Sequence, residues 1–183
     1  MLPTIKIKTA NDTIKESKGI QRMKNYPSIV SRTDLIAMRQ RLYQQDQKVV
    51  FTNGCFDLLH RGHVEYLREA RQLGDVLIVG LNSDASVRTL KGSDRPLIGQ
   101  EDRAVVLAAL RSVTYVCIFD EPSVEKLVGE LVPDILVKGG DYQIEEIVGH
   151  EIVTGVGGQV RALSLLPHSS TSFLIDRIKG IEE

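Results

Sequence analysis

The residues best suited to chemistry lie in one short run. Val49-Val50-Phe51-Thr52 leads into Asn53-Gly54-Cys55-Phe56-Asp57, and then into His60-Arg61-Gly62-His63. An apolar strand, a turn and a His-x-Gly-His segment at the mouth of a helix would place two imidazoles beside a row of free backbone N–H groups. First-turn N–H groups have no intrahelical partner, and the helix dipole favours anions there. Gly62 lets the backbone come close to a ligand. Imidazoles can donate to phosphoryl oxygens as negative charge builds in a transition state, so the pattern points to nucleotidyl transfer without a covalent intermediate. A zinc site competes weakly, because no third ligand stands at a metal-like spacing.

The elements that would position these groups alternate along the chain. Ser31 with Asp34 starts a helix running to about Gln45. Strands are predicted over Lys48–Thr52, Asp75–Leu81, Tyr115–Phe119, Asp134–Lys138 and Gln159–Leu165. Helices are predicted over Gly62–Leu73, Ser83–Leu90, Gln100–Leu110, Ser123–Leu131 and Thr171–Ile178. Val64, Leu67 and Ala70-Arg71 would form the apolar face of the first of these. Val105, Val106, Ala108 and Ala109 would face the core from the third. Repeated β–α alternation with apolar strands implies an α/β fold, a Rossmann-like open parallel five-stranded sheet with helices on both faces. Residues 1–28 read as a polar tail or linker, and 29–183 as one domain.

In such a sheet the ligand lies beyond the carboxyl ends of the strands, where strand order reverses. His60 and His63 follow the first strand; Asn82, Ser83 and Asp84 the second; Gly139, Gly140 and Asp141 the fourth; Ser170, Thr171 and Ser172 the fifth. The four groups could therefore converge. Each also has a plainer reading: Gly-Gly-Asp is a common turn, and Ser170–Ser172 would cap a helix.

Composition narrows the partners. The 183 residues carry a formal net charge of −1, which gives no broad basic face for nucleic acid. Cys55 and Cys117 lie in apolar, strand-like runs and read as small buried hydrophobes of a reducing cytosol. No run is long enough to span a bilayer, and Met1-Leu2-Pro3-Thr4-Ile5-Lys6 lacks a signal-peptide core, so a soluble cytoplasmic protein without a membrane partner is expected.

The run from Asn53 to His63 resembles the nucleotidyltransferase superfamily with the HxGH signature. The likeness extends from about Val49 to Ile178 and is closer to the adenylyltransferase branch that makes ADP-heptose. It is carried further by Asn82-Ser83-Asp84-Ala85-Ser86-Val87 with Leu90-Lys91-Gly92 and Arg95-Pro96, by Val137-Lys138-Gly139-Gly140-Asp141-Tyr142, and by Ser170-Thr171-Ser172. The resemblance implies that ATP is a substrate and D-glycero-D-manno-heptose 1-phosphate the acceptor. His60, His63 and Lys91 would be catalytic. Asn53, Gly54, Cys55, Phe56, Asp57, Gly62, Lys138, Gly139, Gly140, Asp141, Ser170, Thr171 and Ser172 would hold the nucleotide. Asp84, Lys91, Arg95 and Arg103 would meet the acceptor, with Lys91 and Arg103 on phosphates. Arg103 could instead be a solvated first-turn residue, and Arg95 could close over substrate from a loop. Asp57 and Asp84 could position Mg²⁺ or orient a histidine, or Asp84 could cap a helix. Since no acidic metal cluster is evident, Mg²⁺ would arrive with ATP. His168-Ser169 stands where the superfamily commonly has glycine. Resemblance also implies a homodimer. With only about 48 residues before the first strand, a free-standing transferase served by a separate heptose kinase is expected. The runner-up is a cytidylyltransferase acting on glycerol 3-phosphate or a similar alcohol phosphate; a regulator that keeps the pocket without the chemistry, or a ligand-free scaffold, would have no need of the histidine pair.

Overall fold

The computed structural model describes residues 25–164 and 171–180, with the side chains of Ser172, Phe173 and Asp176 outside that description. Most of the expected tail, together with His168, Ser169 and Ser170, lies outside the described residues.

The chain opens with α1 (Arg32–Gln44), whose N-cap Ser31 accepts from the Asp34 N–H as its sequence suggests. Then follow β1 (Val49–Gly54), α2 (Arg61–Arg71), β2 (Val76–Asn82), α3 (Asp84–Lys91), α4 (Gln100–Ala108) and β3 (Tyr115–Phe119). The second half holds α5 (Glu125–Leu131), β4 (Ile135–Gly139), a 3₁₀ turn (Ile144–Glu146), α6 (His150–Gly155), β5 (Gln159–Leu163) and α7 (Thr171–Lys179). All five strands are parallel in the order β3-β2-β1-β4-β5. Strand order reverses between β1 and β4, so the crevice at their carboxyl ends is where a ligand belongs.

Side chains alternate across the sheet with the period of two that strands impose. Val49 and Phe51 pack with Leu35, Leu127 and Val153 on the face covered by α1, α5 and α6. Val50 packs with Tyr66, Leu67 and Leu107 on the face covered by α2 and α4. Gly80 lets the Phe51 ring cross β2, since a Cβ there would lie 2.7 Å from Phe51 Cζ. At the amino ends, the Asp134 carboxylate accepts from the Val49 N–H at 2.7 Å and from Arg39 at 3.0 Å, tying the two strands at the switch point to α1. Beyond the edge strand β3, the Val30 N–H donates to Val116 O and the Val116 N–H to Ser28 O, so the ordered unit already includes Ser28.

Two helices turn differently from their expected faces. On α2 the buried residues are Gly62, Tyr66, Leu67 and Ala70, while Val64 is 42% exposed. The buried 2.6 Å bond between Thr52 Oγ1 and the Tyr66 hydroxyl satisfies both polar tips, so Tyr66 takes the inward place expected of Val64. On α4, Arg103, Ala104 and Leu107 are buried and Val106 faces out. Hydrogen bonds draw Arg103 inward and set that rotation. The sequence reading assigns no element to residues 142–158, where the 3₁₀ turn forms and is followed by α6, itself set between Gly149 and Gly157, both at positive φ.

Candidate active site

The site is built where β1 runs into α2. Asn53 and Gly54 end the strand, and Phe56 turns the chain at φ 44°, a left-handed conformation uncommon for a bulky residue. Its ring lies 5.3 Å from that of His63. His60 is the N-cap of α2 in extended conformation, with no side-chain capping bond, so its imidazole is not used to close the helix. The rings of His60 and His63 stack at 3.8 Å with 27° between planes. Among the described residues, the buried Nδ1 atoms of both have no hydrogen-bond partner. Burial holds the His60 pKa below its usual value. Burial, and then the neighbouring His60, push His63 down to about 4. Both rings are neutral at pH 7, and each keeps one N–H to donate.

Cations approach from two sides. Lys91 is exposed at the end of α3, before Gly92 at φ 97°. Lys138 leaves β4 toward Asn53, with Nζ 3.5 Å from Oδ1, and burial lowers its pKa. Cys55 is half-buried rather than fully buried; desolvation raises its thiol pKa, opposed by Lys91, Arg103 and Lys138. Cys117 is buried as expected.

Three charged residues take places the sequence does not specify. Arg103 is neither solvated nor in the wall of the site. Its fully buried guanidinium donates to Ile98 O, Cys55 O and Asp84 Oδ1, bracing the strand-one turn from behind. Asp84 sits in the first turn of α3 while Ser83 supplies the cap, so Asp84 is not the cap residue. Asp57 neither faces a histidine nor stands free for a metal. Its Oδ2 accepts from Arg95 and its Oδ1 from the N–H groups of Leu97 and Ile98. Asp57 therefore pins the 95–98 loop and holds Arg95 at the site.

A cavity of about 630 Å³ opens at these carboxyl ends. Asn53, Gly54, Cys55, Phe56, Asp57, His63, Lys91, Arg95, Lys138 and Thr171 line it. His60, whose ring stacks on that of His63, and Gly62, Gly139, Gly140 and Asp141 are not among the residues that line it. Thr171, at the start of α7, donates to Leu58 O at 3.3 Å, which brings that helix end to the β1–α2 connection. Ser170 and the Ser172 side chain lie outside the described residues. The wall also contains Asn82, Val87, Leu90, Pro122, Ser123, Val124, Tyr142, Glu146, Ile147 and Val148. Ser123 could have been found by extending the carboxyl-end rule to β3; Glu146 and its neighbours lie in the stretch without a periodic signal. Among the described residues no three His, Cys, Asp or Glu side chains are grouped to hold a metal ion. No described helix is long and apolar enough to cross a membrane.

The family model for cytidylyltransferase-like proteins matches residues 51–175, from the β1 strand to α7. The chain belongs to the cytidylyltransferase-like family. Within this family it is 53% identical over 156 residues to the bifunctional protein HldE of Citrifermentans bemidjiense, covering 85% of this chain and 32% of that protein. It is 54% identical over 134 residues to HldE of Geobacter sulfurreducens, covering 73% of this chain and 27% of that protein. The chain thus spans about a third of the length of these curated relatives. Among solved structures, the lipopolysaccharide core biosynthesis protein of Thermoplasma volcanium is 28% identical with a TM-score of 0.53, covering 66% of this chain and 97% of that one. The pantoate-β-alanine ligase of Francisella tularensis, solved with β,γ-ATP and β-alanine, matches with a TM-score of 0.57 at 17% identity, covering 85% of this chain and 78% of its own; it shares the fold.

Proposed function

We propose that the protein is an adenylyltransferase that joins ATP to D-glycero-D-manno-heptose 1-phosphate, giving ADP-heptose and pyrophosphate. The observation that carries the chemistry is the pair of neutral, stacked imidazoles at the open N-terminus of α2, with His63 in the wall of a cavity that Lys91, Arg95 and Lys138 also line. The choice of ATP and heptose is supported by 53% identity to HldE along most of the chain, and by the fold shared with a lipopolysaccharide core biosynthesis protein.

ATP would lie with its α-phosphoryl group at His60, His63 and the α2 N-terminus, and its β,γ-phosphates at Thr171. An oxygen of the sugar phosphate attacks the α-phosphorus in line. The bond from the α-phosphorus to the bridging oxygen breaks, and pyrophosphate departs. The histidine N–H groups donate to the non-bridging oxygens as they gain charge, and Lys91 and Arg95 offset the repulsion between the two phosphates. Catalysis on this account is positioning plus electrostatics, with no protein nucleophile. Among the described residues none form a dedicated magnesium cage: Asp57 and Asp84 are taken by arginines and backbone N–H groups. Mg²⁺ therefore belongs to the triphosphate in this proposal, and no step is assigned to it.

Pyrophosphate release measured with ATP and with CTP, across a panel of sugar and polyol phosphates, tests the proposal. Turnover is expected with ATP and the heptose 1-phosphate. Preference for CTP with glycerol 3-phosphate would replace this reading with the runner-up, and tight ATP binding without pyrophosphate release from any acceptor would make the protein a regulator.

A further inference from the structure

A histidine that works on a substrate has to hold its ring in one orientation. The common device is a hydrogen bond from one ring nitrogen to a carboxylate or a carbonyl. Among the described residues His63 lacks it, since its buried Nδ1 has no partner. The carboxylates beside the histidines are engaged elsewhere. Asp57 accepts from Arg95 and from the Leu97 and Ile98 N–H groups, and Glu65 accepts from Arg68. Two other rings lie against His63 instead: His60, stacked at 3.8 Å, and Phe56, tilted by 56° with centroids 5.3 Å apart. We propose that packing takes the place of the hydrogen bond, and that Phe56 is the positioning residue that orients His63 toward the reacting phosphate; the inference rests on the reading of the site given above.

Three observations fix Phe56 for this task. First, its backbone stands at φ 44°, where glycine would relieve the strain and a bulky residue persists only if its surroundings hold it. Both neighbours are held. The Arg103 guanidinium donates to Cys55 O on one side, and on the other the Asp57 carboxylate is bound to the 95–98 loop. A strained turn kept with a large side chain points to a use for that side chain. Second, Gly54 leaves the room the ring occupies. A Cβ there would lie 3.0 Å from Phe56 Cε2 and 3.4 Å from Cδ2 and Cζ, so the ring rests on the bare backbone at the end of β1. Third, Phe56 is 6% exposed and belongs to the core layer of Tyr66 and Leu67, the residues that seat α2, yet it also borders the cavity with His63. One ring thus joins the packed layer to the histidine. An aliphatic side chain could fill that layer, but a flat ring presents a face or an edge to an imidazole. The same contact keeps water from His63, in keeping with the pKa of about 4 that burial gives it.

The test is Phe56→Leu, which keeps an apolar side chain in the core layer and removes the ring. With ATP and the heptose 1-phosphate, kcat should fall about tenfold or more while both KM values stay unchanged, because a misplaced imidazole weakens the transition state and not the binding of substrates. Titration of the His63 imidazole by NMR, which needs no substrate, should show its midpoint rising from about 4 toward the ordinary value as water reaches the ring. A merely structural role for Phe56 would lower the melting temperature and leave that midpoint in place. Where the leucine variant does not fold, Phe56→Met fills more of the same space and is read in the same way. A wild type that releases pyrophosphate with no acceptor overturns the reading of the site and this role with it. An active wild type whose variant keeps its kcat, loses activity with the His63 midpoint unmoved, or changes in KM alone overturns this inference and leaves that reading standing.

Discussion

Two imidazoles stacked 3.8 Å apart repel each other when both are charged, and burial adds to that cost. Neutrality suits their proposed task, since a neutral ring donates one hydrogen bond without attracting pyrophosphate as tightly as a cation would. His60→Ala and His63→Ala are each expected to lower kcat by about 10²–10³-fold with unchanged circular dichroism. A near-normal rate would remove the role assigned. The depressed His63 pKa has a definite sign in stability. Its folded value of about 4 lies below the unfolded value, so the unfolded chain binds the proton more readily. The contribution is present above the unfolded pKa of about 6.5 and is lost as pH falls toward 4. Denaturant titrations from pH 7 to pH 4 should show that slope, reduced in His63→Asn. Arg103 makes the complementary point. Its residue type suits phosphate, but its acceptors Ile98 O, Cys55 O and Asp84 come from three separate stretches of chain. Arg103→Ala leaves the partly exposed Asp84 carboxylate and two backbone carbonyls without their donor and should cost about 2–3 kcal/mol in chemical denaturation. A sequence reveals that an arginine is near a site; only folding decides whether it faces the substrate or braces the wall.

At the scale of elements, the helix that carries the histidines is set by Tyr66, not by Val64. Of the periodic positions 64, 67 and 70, Leu67 and Ala70 are buried as expected, while Val64 yields its inward place to Tyr66, whose hydroxyl bonds Thr52. His63, on the same helix, lines the cavity. The 92–99 loop depends in the same way on a single residue, because Asp57 holds Arg95 and two backbone N–H groups. Asp57→Asn should free the loop. The expected result is a rise of about tenfold in the KM of a phosphate-bearing substrate, with a smaller change in kcat, and faster hydrogen exchange at the Leu97 and Ile98 amides. Equal exchange rates in variant and wild type would show that the loop is anchored elsewhere. Strand positions were legible because consecutive apolar residues buried on both faces leave little ambiguity. The 3₁₀ turn and the six-residue α6 were not, because short elements punctuated by glycine carry too few turns for a period to emerge.

For the molecule as a whole, the parallel order β3-β2-β1-β4-β5 makes one crevice, and the proposed ligand would bridge β1, α2, β4 and α7 across it. ATP at a hundredfold excess over its Kd should add about 2.7 kcal/mol of stability, raising Tm by about 5–10 °C, with a smaller rise in Lys138→Ala. No shift with ATP would place the nucleotide site in doubt. The five strands, the α/β alternation and the clustering of functional residues at carboxyl ends were all determined by the sequence, since apolar runs and Gly-His motifs are local properties of a chain. Tertiary structure alone decided that Asp57 and Arg103 are braces, that the histidine rings stack, and that Tyr142 and Glu146 join the same cavity as His63. Those are contacts between residues far apart along the chain. Their partners are chosen by packing and by the need to satisfy buried charges, neither of which leaves a periodic trace in one dimension.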